Sequence, residues 1–284
     1  MKKLSKLTAA ALSAALLLSL AACSGGAGTA ATPAPQTGAP AAGSDWAYVQ
    51  GNGSLKIGYT VFEPMNYTGD DGEFTGFETE FARAVCGKLG VEPEFVEINW
   101  DAKVMELESK HIDCIWNGMT ITPELLETLE ITDPYIRNYQ VVVIRAADAG
   151  KYASTADLAG ATLEAEAGSA GEAAIQGDGD LSQAAYTSVL RQTDALLEVK
   201  AGAADACVLD FVLAGAMVGQ GDYADLMVIP DLQLSVEEYG VGFRKGSDVV
   251  PMFNEAMQAL IDDGTLNAIA ERYDLDGLLL ANQK

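Results

Sequence analysis

Of the chain's 284 residues, half are hydrophobic and a fifth charged, enough for one large domain or two modest ones with a sizeable core. A formal net charge of −24 argues against a nucleic-acid partner, because phosphate binding needs basic surface. The acidic surface keeps the chain soluble and weakly favours cationic ligands.

Residues 1–22 read as a lipoprotein signal peptide. Lys2, Lys3 and Lys6 form a basic start, and residues 7–20 are apolar apart from Thr and Ser. That stretch is short of the ~20 apolar residues that a spanning helix needs, but it suits a secretory core. Leu20-Ala-Ala-Cys23 is similar to the bacterial lipoprotein box, which implies cleavage and lipidation at Cys23. Losing the three lysines leaves 14 of the 17 basic residues against 41 acidic ones, a net −27. Residues 24–44 carry no charge and no large apolar side chain, so they read as a tether. Twenty-one flexible residues span on the order of 25 Å root-mean-square. The expected location is the extracytoplasmic side of a cell membrane, held by lipid on Cys23. Cys86, Cys114 and Cys207 are an odd, widely spaced set, with no metal-type spacing. Cys114 and Cys207 sit in apolar runs and read as small core residues.

Along the body, residues 45–49 predict a short helix that closes the tether, and residues 55–59 a strand. Phe77, Phe81, Val85 and Leu89 recur every four residues, giving the buried face of a helix that Gly90 ends. A strand at 94–98, a short helix around Val104 and Leu107, and a strand at 112–116 follow. Thr122-Pro123-Glu124 looks like a helix start. This is the alternation of a parallel sheet covered by helices. After a β-like run at 140–145 the pattern restarts. Strands are predicted at 162–165, 186–189 and 205–209, with helices at 169–175, 193–201 and 210–218. In both units an Asp and a Cys mark the start of the third strand, at Asp113-Cys114 and at Asp205-Ala-Cys207. Two like lobes are the economical reading. A strand at 239–243, a helix bearing Met252, Met257, Leu260 and Ile261, and a last helix from Leu266 to Tyr273 form a tail too small to stand alone. The sole histidine, His111, reads as a surface residue.

In open parallel sheets, ligands sit beyond the C-terminal ends of strands. There the sequence places Phe62, Trp100, Asn117, Gly118, Thr120, Glu166, Ser169 and Asp210. These are aromatic plates, small hydrogen-bonders, a helix start and acids. They include no nucleophile–base pair, so they suit recognition rather than reaction, with no catalytic residue, cofactor or metal expected.

The ordered set Leu55-Lys-Ile-Gly-Tyr59, Gly76-Phe77, Asn99-Trp-Asp101, Gly118-Met-Thr-Ile-Thr-Pro-Glu124, Thr132-Asp-Pro-Tyr135, Tyr239-Gly-Val-Gly and Arg244-Lys-Gly-Ser247 resembles the extracellular solute-binding proteins of amino-acid ABC transporters, family 3. It covers nearly all of residues 46–280. The resemblance implies an α/β, type II periplasmic-binding-protein fold of two similar lobes. Lobe 1 would be residues 45–141 plus 237–284, and lobe 2 residues 142–236. Hinge strands would lie near 140–145 and 234–238. It implies Phe62 and Trp100 as aromatics lining the ligand, and Gly118 and Thr120 as contacts for its amino and carboxylate groups. Asn117 would face its side chain, Ser169 its carboxylate, and Asp210 its α-ammonium.

The chain departs from the family pattern at Leu125, two residues after Pro123, where the family carries an Arg that clamps the α-carboxylate. Ala170 stands where many relatives carry Thr. Arg137 and the helix start at 169–172 are candidate substitutes. Glu166, with Asp210, tilts the expectation toward a ligand carrying positive charge.

The resemblance implies capture of a small polar solute, an amino acid or related amine, by lobe closure, followed by delivery to an ABC permease with its ATPase. The chain has no Gly-x-x-x-x-Gly-Lys-Ser/Thr loop of its own. A monomer is expected. The alternatives are a periplasmic dehydratase on the same fold and a ligand sensor without transport.

Overall fold

A computed structural model describes residues 44–283. The signal peptide, the lipidation site Cys23 and nearly all of the tether lie outside the described residues. The body begins with α1 (Asp45–Asn52), where the Ser44 hydroxyl accepts from Ala47 N at 2.8 Å and Gly53, at φ 74°, ends the helix.

Two five-stranded sheets follow. The strands of the first are β1 (Ser54–Tyr59), β4 (Glu92–Glu97), β5 (Cys114–Ile115), β6 (Leu129–Ile131) and β12 (Gly242–Arg244), in the order β4-β1-β5-β12-β6. β2 (Tyr67–Thr68) and β3 (Phe74–Thr75) form a small hairpin above it. The second sheet contains β7 (Ile136–Arg145), β8 (Thr162–Glu166), β9 (Ala185–Val189), β10 (Ala206–Asp210) and β11 (Leu226–Tyr239), in the order β11-β7-β10-β8-β9. In each sheet four strands run in one direction, and one strand, β12 in the first and β7 in the second, runs antiparallel to both of its neighbours. The chain passes between the sheets twice, at residues 132–135 and 240–241.

Helices cover the sheets: α2 (Phe77–Leu89), α3 (Lys103–Glu108) and α4 (Pro123–Thr128) among the first strands, and α5 (Thr155–Leu158), α6 (Ala170–Gly177), α7 (Gln192–Ala201) and α8 (Phe211–Met217) among the second. The four-residue spacing on α2 buries Phe77, Phe81 and Val85 completely. The tail forms α9 (Val249–Asp262) and α10 (Thr265–Glu271), and it packs on the first sheet. Phe253 of α9 meets Trp116 at a ring-centroid distance of 4.9 Å and Phe243 at 5.8 Å. The Tyr273 hydroxyl reaches Thr75 Oγ1 at 3.0 Å. The three cysteines are buried and free, and His111 is exposed beside Glu106.

The repeated Asp has one structural job in both units. Asp113 N donates to Lys56 O at 2.7 Å while its Oδ2 accepts from Lys56 N at 3.0 Å. Asp205 treats Thr162 the same way, at 2.9 Å for each bond. The side chain closes the ladder to the neighbouring parallel strand where that ladder begins. Each carboxylate also faces an arginine, Arg244 at 3.2 Å and Arg145 at 3.8 Å.

Three expected strands differ from those observed. The 112–116 run narrows to two residues, because at Asp113 a side-chain bond to Lys56 N replaces a backbone one. The 239–243 run splits, because the chain changes sheets at Gly240 and Val241. β11 begins eight residues before the expected hinge segment. It is bulged between Val228 and Val236, with Asp231 at φ 59°, so the period-2 signal is lost.

Arg244 is the main tie of the first sheet. It donates to both carboxylate oxygens of Asp45, to the carbonyls of Leu107 and Ile112, and to Asp113. Its side chain is 12% exposed. Replacing it strands two carboxylates, so Arg244→Met is expected to destabilise the fold by about 3–5 kcal/mol in urea unfolding.

Candidate ligand-binding site

A cleft between the two sheets has a volume of about 310 Å³, suited to a small polar solute. One wall comes from Trp100, Lys103, residues 117–120, Thr122, Glu124 and Leu125. The other comes from Glu166, residues 168–170, Ala173, Gln192 and Asp210.

The floor is residues 117–120. Gly118 has φ 56°, and a Cβ there would lie 2.5 Å from the Phe62 ring, so only glycine fits. Its N–H donates to both carboxylate oxygens of Glu78, at 2.9 and 3.0 Å. Glu78 is fully buried and also receives the Tyr135 hydroxyl. Burial pushes its carboxyl up to about 7, against the pull of those two donors. The Asn117 side chain is likewise committed to the protein. Its Oδ1 accepts from Thr60 N and Oγ1, and its Nδ2 donates to Thr60 O and Asn66 Oδ1. Thr120 lines the cleft half-buried and bridges Tyr239 of β11.

Beside the floor, Thr122 caps α4 by accepting from Leu125 N at 3.2 Å, with Pro123 in the first turn. Leu125 therefore lines the cleft where a guanidinium would serve a carboxylate. The only cation among the lining residues is Lys103, at the start of α3. It is 8% exposed, its Nζ lies 4.9 Å from the Trp100 ring centroid, and it donates to Trp100 O at 3.2 Å and Gly168 O at 2.9 Å. The last bond joins the two walls. Burial lowers the Lys103 pKa, while Asp101, Glu166 and Glu172 hold it up.

On the second wall Ser169 caps α6, its Oγ accepting from Glu172 N at 3.1 Å, and Ala170 lies next to it. Gly168 N donates to Glu172 Oε2 at 2.7 Å. A Cβ at Gly168, φ 70°, would meet the Asp101 backbone at 2.9 Å, so the walls approach closely here. Asp210 ends β10. Its Oδ1 accepts from Asn138 at 2.5 Å, Gln140 at 2.7 Å and the Tyr239 hydroxyl at 2.7 Å, and its Oδ2 from Gln192. Glu237 Oε1 shares the same two amide donors, at 2.5 and 2.6 Å. Burial raises both carboxyls, Glu237 to about 8. Glu166 lines the cleft at 3% exposure, and burial together with the Asp210 charge pushes it up to about 8.

Two site expectations need correction. Phe62 does not line the cleft. It packs in the core behind Gly118, because its ring occupies the space that the missing glycine side chain leaves. Arg137 also lies elsewhere, in a separate groove, paired with Glu238 at 3.7 Å. Strand alternation explains this: Asn138 and Gln140 turn inward to Asp210, so Arg137 turns outward. Sequence reasoning missed Lys103 and Gln192. A lysine opening a short helix gives no sign of burial, and Gln192 reads as an ordinary helix start.

The fold and the cleft define a two-lobed periplasmic binding protein of type II. A profile of the bacterial extracellular solute-binding proteins, family 3, matches residues 55–276, and the chain belongs to that family. It is similar to the L-cystine-binding protein TcyJ of Escherichia coli, 28% identical over 79% of this chain and 84% of that one. It is 28% identical to the arginine-binding extracellular protein ArtP of Bacillus subtilis, over 75% and 82% of the two chains. Among solved structures, it resembles an ABC uptake transporter substrate-binding protein from Streptococcus pneumoniae with bound histidine. That match has 31% identity and TM-score 0.75, and covers 82% of this chain and 97% of that one. An ancestral amino acid-binding protein described as a precursor of cyclohexadienyl dehydratase matches at 28% identity and TM-score 0.73, over 81% and 99%.

The raised carboxyls of Glu78, Glu166 and Glu237 set the sign of the pH dependence. The folded state keeps protons that the unfolded chain has lost, so stability falls as pH rises from about 4.5 toward 8. The melting temperature is expected to be higher at pH 5 than at pH 8. Glu78→Gln should remove a share on the order of 3 kcal/mol from that slope, read by thermal denaturation at several pH values.

Proposed function

We propose that this chain captures a free amino acid, or a close derivative, between its lobes and passes it to an ABC permease. The observation that carries this is the interlobe cleft, sized for one small solute and lined from both walls by Trp100, Thr120, Glu166, Ser169 and Asp210. Relatives named for cystine and arginine, and a neighbour holding histidine, support the same ligand class. Closure about the strands that join the sheets is the working motion.

The protein acts by binding, not by turnover. The one serine of the cleft caps a helix, and no histidine or cysteine lines the site. Lipid on Cys23 and the tether would hold the body, as a monomer, at the outer face of the membrane. A dehydratase reading draws on the ancestral neighbour and on a buried carboxyl poised near neutrality, Glu166. It would need turnover of a cyclohexadienyl acid, which an absorbance assay detects.

Screening the twenty amino acids and cystine by thermal shift tests the binding reading. A true ligand at one hundred times its Kd should stabilise the fold by about 2.7 kcal/mol. No shift with any of them would overturn it. Cys23→Ala in the full-length chain is expected to abolish partition into the detergent phase of a membrane extract and leave the body's melting temperature unchanged.

A further inference from the structure

The acid that the family pattern assigns to the ligand's ammonium is already heavily bonded. A carboxylate offers about four acceptor positions, two on each oxygen. Asp210 Oδ1 accepts from Asn138, Gln140 and Tyr239, and Oδ2 from Gln192 alone. These donors come from β7, β11 and α7, all in the half built on the second sheet. An incoming ammonium at Asp210 would find one open position, beside Gln192 on Oδ2.

Glu166 is in the opposite condition. It ends β8, lines the cleft and is 3% exposed, and its Oε1 has no hydrogen-bond partner among the described residues. A buried, unpaired carboxyl oxygen facing a ligand cavity is an acceptor waiting for a donor. The charged groups that act on it are Lys103 from α3, Asp210 from β10, Asp194 from α7 and Arg191 just before α7. The cleft lining holds three acids, Glu124, Glu166 and Asp210, against one cation, Lys103. Lys103 is fixed by two carbonyls, which leaves one N–H of its ammonium uncommitted. Once Glu166 ionises, the lining favours a cation over a neutral donor.

We propose that Glu166 is the specificity-determining residue of this cleft and that it receives a cationic group of the ligand, a protonated amine or a guanidinium. This rests on the amino-acid-binding reading and deepens it. Asp210, which lines the cleft with one Oδ2 position open, stays available to the ligand's α-ammonium. With its carboxyl raised to about 8, Glu166 is mostly protonated at pH 7 in the empty cleft. A cation binds the ionised form, so binding expels the proton. Affinity for a cationic ligand therefore rises about tenfold per pH unit below 8 and levels above it.

The test is isothermal titration of the full body with four probes: L-arginine, L-histidine, L-cystine and agmatine, which keeps the cations but lacks a carboxylate. Each titration is run at pH 7 in two buffers of different ionisation enthalpy. The wild type is expected to release most of one proton on binding a cationic probe. Glu166→Gln, checked for an unchanged fold by its melting curve, should bind that probe at least thirtyfold more weakly and release no proton. A variant that keeps wild-type affinity and proton release overturns the assignment and leaves the amino-acid reading standing. A wild type that binds none of the four overturns both. Should Glu166→Gln fail to fold, the wild-type proton count decides alone, and binding without proton release overturns the proposal.

Discussion

The carboxylate of Asp210 is the point on which the two long strands of the second sheet and α7 converge. It ends β10, yet the groups that hold it come from both long strands of the second sheet and from α7. Tyr239 is the last residue of β11 before the chain steps back to the first sheet, and its hydroxyl ends on Asp210. Glu237, two residues earlier, shares the same amide donors. Two carboxyls served by one pair of donors cannot both ionise cheaply in a buried place: burial raises both, and the Asp210 charge raises Glu237 further.

Closure is the second constraint. Where Gly168 meets Asp101 the walls touch backbone to side chain, and Lys103 reaches across to Gly168 O. At the rim, Arg191 of the second wall pairs with Glu97 of the first at 2.5 Å. The rim pair is partly exposed and contributes little. The Lys103 bond is buried and therefore matters more to the closed geometry. The same lysine lies over the Trp100 ring, so the face offered to a ligand by that aromatic is already partly filled by a cation of the protein.

Much of this was legible in the sequence. The four-residue spacing on α2, the Thr122 and Ser169 helix starts, and the restart after residue 145 follow local rules, and those rules hold. The repeated Asp beside Cys was visible as an echo, and its cause, a side chain closing a parallel ladder, is the same in both units. What the sequence could not display was direction. Asn117, Gly118 and Phe62 sit at the right places in the chain, but two of them spend their polar groups inward and the third packs behind the floor. The burial of Lys103 was invisible because it depends on a wall more than sixty residues away. Arg137 failed by one residue of strand parity, which a sequence fixes only when the facing surface is known.

Leu125, where the family pattern implies an arginine, bears on what the cleft can discriminate. A carboxylate clamp needs donors not already in use. The start of α6 is a weak replacement, because Ser169 occupies the N–H of Glu172 and Glu172 in turn occupies that of Gly168. The Glu172 carboxylate also offsets the positive end of the helix that would otherwise draw an anion. Ala170 and Ala173 line the cleft beside it without a polar group. The anionic end of a ligand thus meets little fixed charge besides Lys103, which is itself already bonded to two carbonyls. With one end of the site so poorly supplied, discrimination shifts to the acid-rich end, where Glu166 and the Asp210 frame lie together. A cleft built this way distinguishes ligands by their cations and reads the carboxylate only weakly.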